Sequence, residues 1–155
     1  MDKSFFPYGS KSRDFLIKRT IYLCYYLQKR GVTQIILACN TLSIIVLDEI
    51  KHLFKIPVIG VISLFDFTKY KDGLFIGSLN TINMLSDKKT FSNLYDGTIL
   101  IDLIEKNDDY KKYIKEKEDI FQRYPTILLG CTHLIKIKGE FLNYVSQDEL
   151  YLQSK

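Results

Sequence analysis

The strongest constraint on this chain is a weak internal repeat. Ile35-Ile36-Leu37-Ala38-Cys39-Asn40-Thr41 lines up with Ile127-Leu128-Leu129-Gly130-Cys131-Thr132-His133. Each copy is an apolar run, a small residue, a cysteine and then polar groups. A short continuous apolar run with turn signals after it reads as a buried strand of a parallel sheet. Open parallel sheets bind ligands just beyond the carboxyl ends of their strands, where both cysteines would lie. The expected fold is α/β: two pseudo-symmetric parallel-sheet half-domains facing a cleft, over residues 1–65 and 66–155.

The remaining pattern fits that frame. Ser10 or Ser12 caps a long helix that Gly31 stops, with Leu16, Thr20, Leu23 and Leu27 on one face and Ile17, Ile21 and Cys24 beside them. Leu42, Val46, Ile50 and Leu53 or Phe54 give helical spacing between the strand at 34–38 and a second strand expected over 58–62, a βαβ unit. Further expectations are a strand over 74–79, a polar, turn-rich stretch with a short helix in 81–96, a helix over 98–105, an exposed helix over 107–122 and a strand over 126–130. A closing helix is expected to carry Ile137, Phe141, Leu142 and Val145.

Composition excludes several classes. Apolar residues make up 46% of the chain, too many for a disordered segment. No apolar run reaches the roughly 18–20 residues of a membrane span. Met1-Asp2-Lys3-Ser4 lacks the basic start and apolar stretch of a secretory signal, so a soluble, cytoplasmic chain is expected. The net charge of +4 is modest, and Lys111, Lys112, Lys115 and Lys117 alternate with acids, which reads as a solvated helix face and not a nucleic-acid surface. Three widely spaced cysteines, no C-x-x-C and two histidines give neither a disulfide framework nor a metal site.

The two matched cysteines therefore carry the chemical reading. A thiol titrates near 8.5 in its reference state, and a helix N-terminus or a neighbouring cation lowers that value. Cys39 is expected at the start of a helix, with Asn40 and Thr41 adding an amide and a hydroxyl. Cys131 has Thr132 and His133 beside it in sequence. Cys24, within a helix among Tyr22, Leu23, Tyr25 and Tyr26, reads as a small buried hydrophobe. Two thiols across one small acid suit a two-base reaction in which one removes the Cα proton and the other delivers a proton to the opposite face. Such a reaction needs no metal and no electron-sink cofactor if donors stabilise the carbanion-like state.

The paired segments Ala38-Cys39-Asn40-Thr41 and Leu129-Gly130-Cys131-Thr132-His133 resemble the two signatures of the glutamate racemases, within the aspartate/glutamate racemase superfamily. Asp2 with Pro7-Tyr8-Gly9 is similar to that family's Asp-x4-Pro-Tyr-Gly segment, and residues 57–60 to its Pro-Val-Ile-Gly strand. Ile76-Gly77 through Thr81 and Leu103-Ile104-Glu105 resemble two more of its segments. The resemblance runs over about residues 2 to 140. It implies that Cys39 is the base acting on D-glutamate and Cys131 the base acting on L-glutamate. It further implies that His133 assists Cys131 with Glu105 behind it, and that Pro7, Tyr8, Gly9, Asn40, Thr41 and Thr132 contact the substrate. It implies a cofactor-independent enzyme with glutamate as its small-molecule partner, serving peptidoglycan synthesis, and it allows a homo-oligomer.

The chain departs from the family in places. No Asp-Ser-Gly-x-Gly-Gly segment is present, Leu134-Ile135 follow where the family has Tyr-Pro, and Met84 stands where a second threonine is expected. The resemblance thus implies a chain without the family's first βα unit and closing elements, an uncovered sheet edge, low stability and weak or absent racemase activity. Two alternatives stand beside it: racemisation of aspartate or another small acidic amino acid, and a non-catalytic interaction module.

Overall fold

Ser12 has extended backbone (φ −65°, ψ 152°) and its Oγ accepts the Phe15 amide at 3.4 Å, so helix α1 (Arg13–Gln28) starts there. This cap satisfies one of the orphan amides of the first turn. The helix ends where Gly31, at φ +78°, turns the chain in a conformation that costs other residues energy. The structure is a computed structural model that describes residues 5, 8 and 11–153. The chain divides into two compact units, Met1–Ile62 and Ser63–Lys155.

In the first unit, β1 (Ile35–Leu37) and β2 (Val58–Gly60) pair in parallel, with Ile35 opposite Val58 and Leu37 opposite Gly60. One face is buried: Ile35, Leu37 and Val58 pack with Leu16 and Cys24 of α1 in one cluster. The other face leaves Ile36 and Ile59 37% and 39% exposed, so the expected fully buried strand at 34–38 is buried on one side only.

The helix expected between these strands is broken into α2 (Asn40–Ile45), α3 (Leu47–Ile50) and a 3-10 turn at Lys51–Leu53. Val46 closes α2 at φ −117°, after two isoleucines; three successive β-branched residues lose rotamer freedom in a helix. The apolar stripe survives the break, since Leu42, Val46, Ile50 and Phe54 are buried and Leu53 is exposed. The strand expected over 58–62 ends at Gly60, and Val61–Leu64 form a 3-10 turn. A Cβ on Gly60 would lie 2.7 Å from Ser43 Cβ, so the bare glycine lets α2 lie against the strand end.

The second unit holds a four-stranded parallel sheet in the order β4 (Leu94–Asp96), β3 (Leu74–Gly77), β5 (Ile127–Leu129), β6 (Tyr144–Ser146). The two central strands are buried along their whole length, which matches their unbroken apolar sequence. Phe75, Ile76, Leu128 and Leu129 are fully buried, each contributing about 1.5–3 kcal/mol by removal from water. Chain order reverses between β3 and β5: β3 is followed outward to β4 on one side, β5 to β6 on the other. Such a switch point opens a crevice beyond the strand ends.

The connections are α4 (Leu79–Asp87), α5 (Thr98–Lys106), α6 (Tyr110–Glu116), α7 (Glu118–Phe121) and a 3-10 stretch at Leu134–Glu140. The expected strand to residue 79 stops at Gly77, because Ser78 begins the α4 turn. The single helix expected over 107–122 is interrupted at Lys117 (φ −107°, ψ 9°). The closing helix is corrected more strongly. Phe141 is buried outside any helix, Leu142 is 97% exposed, and Val145 lies in β6, followed by α8 (Gln147–Gln153). Pairing with β5, at Leu128 opposite Val145, recruits this segment into the sheet.

Candidate active site

Gly130 is the pivot of the second unit's site. Its amide donates to Ile76 O at 2.8 Å, continuing the β3–β5 ladder by one bond. A Cβ there would lie 2.1 Å from Phe75 Cζ and 2.7 Å from Ile76 O, so the chain can leave the sheet at this point only with glycine. The next residue, Cys131, is therefore delivered to the carboxyl end of β5, at the switch point with β3.

Cys131 is half-buried, and its Sγ lies 3.3 Å from His133 Nδ1. The other ring nitrogen, His133 Nε2, lies 3.5 Å from Glu105 Oε1. Thiol, imidazole and carboxylate thus form one chain of polar groups, with the histidine and glutamate side chains only 16% and 20% exposed. Glu105 sits in the last turn of α5, and His133 immediately precedes the 3-10 stretch after β5. Leu134 and Ile104 beside them belong to one apolar cluster, which fixes both backbones.

The electrostatics of this row follow from burial. Desolvation pushes the Glu105 carboxyl up, helped by the nearby Asp102 charge, while Lys136 and Lys106 oppose the rise. Its Oε1 is buried and makes no hydrogen bond among the described residues, so His133 at 3.5 Å is its polar neighbour in this site. Burial, and then the Lys136 charge, push His133 below its usual value, which favours the neutral ring at pH 7. Neutral imidazole has one acceptor nitrogen, the form a general base requires. Lys136 and Asp102 had no signal in the sequence; each is placed by helical geometry, three residues from His133 and from Glu105.

Cys39 occupies the corresponding position in the first unit, as the residue before α2 (φ −123°, ψ 123°). Burial raises its thiol above the ordinary value, while the Leu42 amide, then the Thr41 hydroxyl and amide, pull it back. The expected lowering by the helix start is therefore present but outweighed by desolvation. Ser43, one turn on, donates from Oγ to Leu37 O (3.0 Å) and Cys39 O (2.9 Å), tying the helix to the end of β1.

Of the other expected contacts, Asn40 and Thr41 are buried at the start of α2, and Tyr8 is buried in the cluster against which Cys39 packs. Thr132 is exposed beside Cys131. Pro7 and Gly9 lie outside the described residues. Cys24 is buried in α1, as a small hydrophobe should be. A separate cavity of about 640 Å³, lined by Phe67, Lys71, Lys89 and Phe91 among others, contains none of these groups. No described helix is long and apolar enough to cross a membrane.

No family model matches the chain. A glutamate racemase of Buchnera aphidicola subsp. Schizaphis graminum is 36% identical over 162 residues, covering 90% of this chain and 63% of that protein. The chain thus spans a little under two thirds of that relative's length. Among solved structures, glutamate racemase from Francisella tularensis in complex with D-glutamate is 25% identical with a TM-score of 0.73, covering 98% of this chain and 68% of that one. Glutamate racemase from Thermus thermophilus gives a TM-score of 0.79 at 21% identity, over 99% of this chain and 66% of that one, a likeness of fold alone.

Proposed function

We propose that this chain, a homologue of the glutamate racemases, interconverts L- and D-glutamate by proton transfer between two cysteines, without a cofactor. The observation that carries the reading is the Cys131–His133–Glu105 row at the carboxyl end of β5. Its support from outside the chain is the 36% identity to a glutamate racemase.

In this mechanism Cys131 is the base acting on L-glutamate. His133 Nδ1 takes the thiol proton, leaving a thiolate, and Glu105 faces the resulting imidazolium through Nε2. The thiolate removes the Cα proton and becomes a thiol. Cys39 delivers a proton to the opposite face and becomes a thiolate, so the turnover moves protons and no net electrons. In the reverse direction Cys39 is the base acting on D-glutamate. The α2 amides and the Thr41 hydroxyl favour its ionised form, against the cost of burial. Asn40, Thr41 and Thr132, with Pro7, Tyr8 and Gly9, contact the substrate's charged groups. The product belongs to cytoplasmic supply of D-glutamate for peptidoglycan.

Chiral chromatography of the chain incubated separately with L-glutamate, D-glutamate and L-aspartate tests the substrate. The expected result is slow conversion of both glutamate enantiomers above a protein-free control, with aspartate unchanged. Conversion of aspartate in preference to glutamate moves the substrate, and conversion of neither supports the non-catalytic module.

A further inference from the structure

The cavity in the second unit is built around one strained lysine and one aromatic wall. Helix α4 ends at Lys88, and the chain turns back through Lys89 at φ +50°. The Thr90 amide donates to Leu85 O at 3.0 Å and the Lys89 amide to Ser86 O at 2.9 Å, the paired bonds of a helix-ending turn. Such a left-handed position normally holds glycine or asparagine, as Gly31 and Asn107 do elsewhere in the chain. Lysine there strains the backbone without the local hydrogen bond that asparagine can make. Strain of this kind concentrates at functional sites.

The Lys89 side chain lines a cavity of about 640 Å³, within the range of small-molecule sites, together with Lys71, Phe67 and Phe91. Lys71 O accepts Asn93 Nδ2 at 3.2 Å, which ties this segment to the entry of β4. Phe67 packs against Phe65, Phe75 and Phe91, with ring centroids 6.0, 5.8 and 5.2 Å away, so this half-buried ring is held as a preformed wall.

Two ammonium groups and no carboxylate line the cavity. Neither Lys71 nor Lys89 makes an ion pair among the described residues. The acid beside the Phe67 wall, Asp66, turns Oδ1 to its own loop, accepting the Thr68 hydroxyl and the Thr68 and Lys69 amides. Ser86, Thr90 and Ser92 add three hydroxyls. Two separate cations with several hydroxyls suit a dianion with three acceptor oxygens better than a carboxylate with one charge and two. The phenyl wall suits a flat ring. Lys71 precedes β3 and Ser92 precedes β4, so the cavity lies at the amino ends of the strands, away from Cys131 at the carboxyl end of β5.

We propose that this cavity binds a small aromatic phosphomonoester, its phosphate between Lys71 and Lys89 and its ring on Phe67 and Phe91. Binding here is independent of racemisation, because none of these residues belongs to the Cys131 row.

Phosphorus and proton NMR of the full chain titrated with phenyl phosphate, inorganic phosphate and phenol test the site. Phenyl phosphate is expected to bind about tenfold more tightly than inorganic phosphate, through ring packing, and phenol not to bind. Lys71→Ala and Lys89→Gly are each expected to weaken phenyl phosphate about tenfold, the loss of one charge-assisted contact. Lys89→Gly also removes the backbone strain, so its melting temperature should hold or rise while binding falls, which separates lost binding from lost folding. No binding of phenyl phosphate up to about 10 mM overturns the proposal, as does inorganic phosphate or phenol binding equally well. Affinity unchanged in either lysine variant overturns it too.

Discussion

The end of β1 and the end of β5 share one pattern, an apolar run, a small residue and a cysteine, and surround the thiol differently. At Cys39 the ionised form is favoured by the Leu42 amide and by the hydroxyl and amide of Thr41 at the start of a short helix, and burial outweighs them. At Cys131 a side-chain row stands beside the thiol, with His133 at 3.3 Å and Glu105 behind it. The small residue before each cysteine differs in the same sense. Ala38 is exposed and tolerates a Cβ, whereas Gly130 rests on the Phe75 ring and does not. A short repeat therefore fixes where a cysteine stands relative to a strand, and the surrounding elements decide which groups face its thiol.

The largest expected effect is chemical. His133→Ala should lower glutamate racemisation by about 10²–10⁴-fold, the range for loss of a positioned acid–base group. In the same variant, iodoacetamide should alkylate Cys131 about tenfold more slowly, the effect of one pKa unit, with Cys39 unchanged. An equal loss at both thiols would erase the contrast between the two strand ends.

Next in size is the packing contrast. Gly130→Ala should cost about 1–3 kcal/mol in urea denaturation, since the ring of Phe75 must move. Ala38→Gly, at the matching place, should cost no more than about 1 kcal/mol. Similar losses in the two variants would mean that the ends of β1 and β5 are packed alike.

The pH response has a sign that separates the two groups behind Cys131. His133 is held below its usual value, so the folded state prefers the neutral ring; stability is lost as pH falls below about 6.5 toward the folded value. His133→Gln should remove that loss. Glu105 is held above its usual value, so its ionised form is a cost that is present above the folded value and relieved as pH falls through it. Glu105→Gln should therefore raise the melting temperature at pH 7 and above, and change it least at acid pH. A lower melting temperature for Glu105→Gln at pH 7 would show that the ionised carboxylate stabilises the fold.

The smallest effect is an order of reaction. Alkylation of the folded chain should proceed at Cys131 before Cys39 and reach Cys24 last, because Cys24 is buried with its thiol pushed up by desolvation. Peptide mapping after partial labelling reads that order directly.

The parts of this fold that were legible in the sequence are those where one strong local signal decides. Ser12 and Gly31 bracket α1, and the apolar runs at 35–37 and 127–129 are strands because nothing else suits them. The misses lie where pairing overrides pattern. Leu94-Tyr95-Asp96 is a three-residue strand within a polar stretch, and only its partner Phe75-Ile76-Gly77 makes it one. Tyr144-Val145-Ser146 joins β5 in the same way, although Val145 fits a helical spacing with Phe141. At the site, the cysteines and His133 stand out by motif, and Glu105 by a three-residue likeness. Asp102 and Lys136, which bias Glu105 in opposite directions, have no signature beyond being charged surface residues.

The proposed racemisation requires Cys39 and Cys131 to be the two bases of one reaction. Proton NMR of L- and D-glutamate in D2O, with the full chain and with Cys39→Ser and Cys131→Ser, tests it most directly. The expected result is loss of the Cα proton signal from both enantiomers with the parent chain, above a protein-free control, and racemisation lowered about 10²–10⁴-fold in each variant. An unchanged rate in either serine variant, or no exchange by the parent chain, would contradict it.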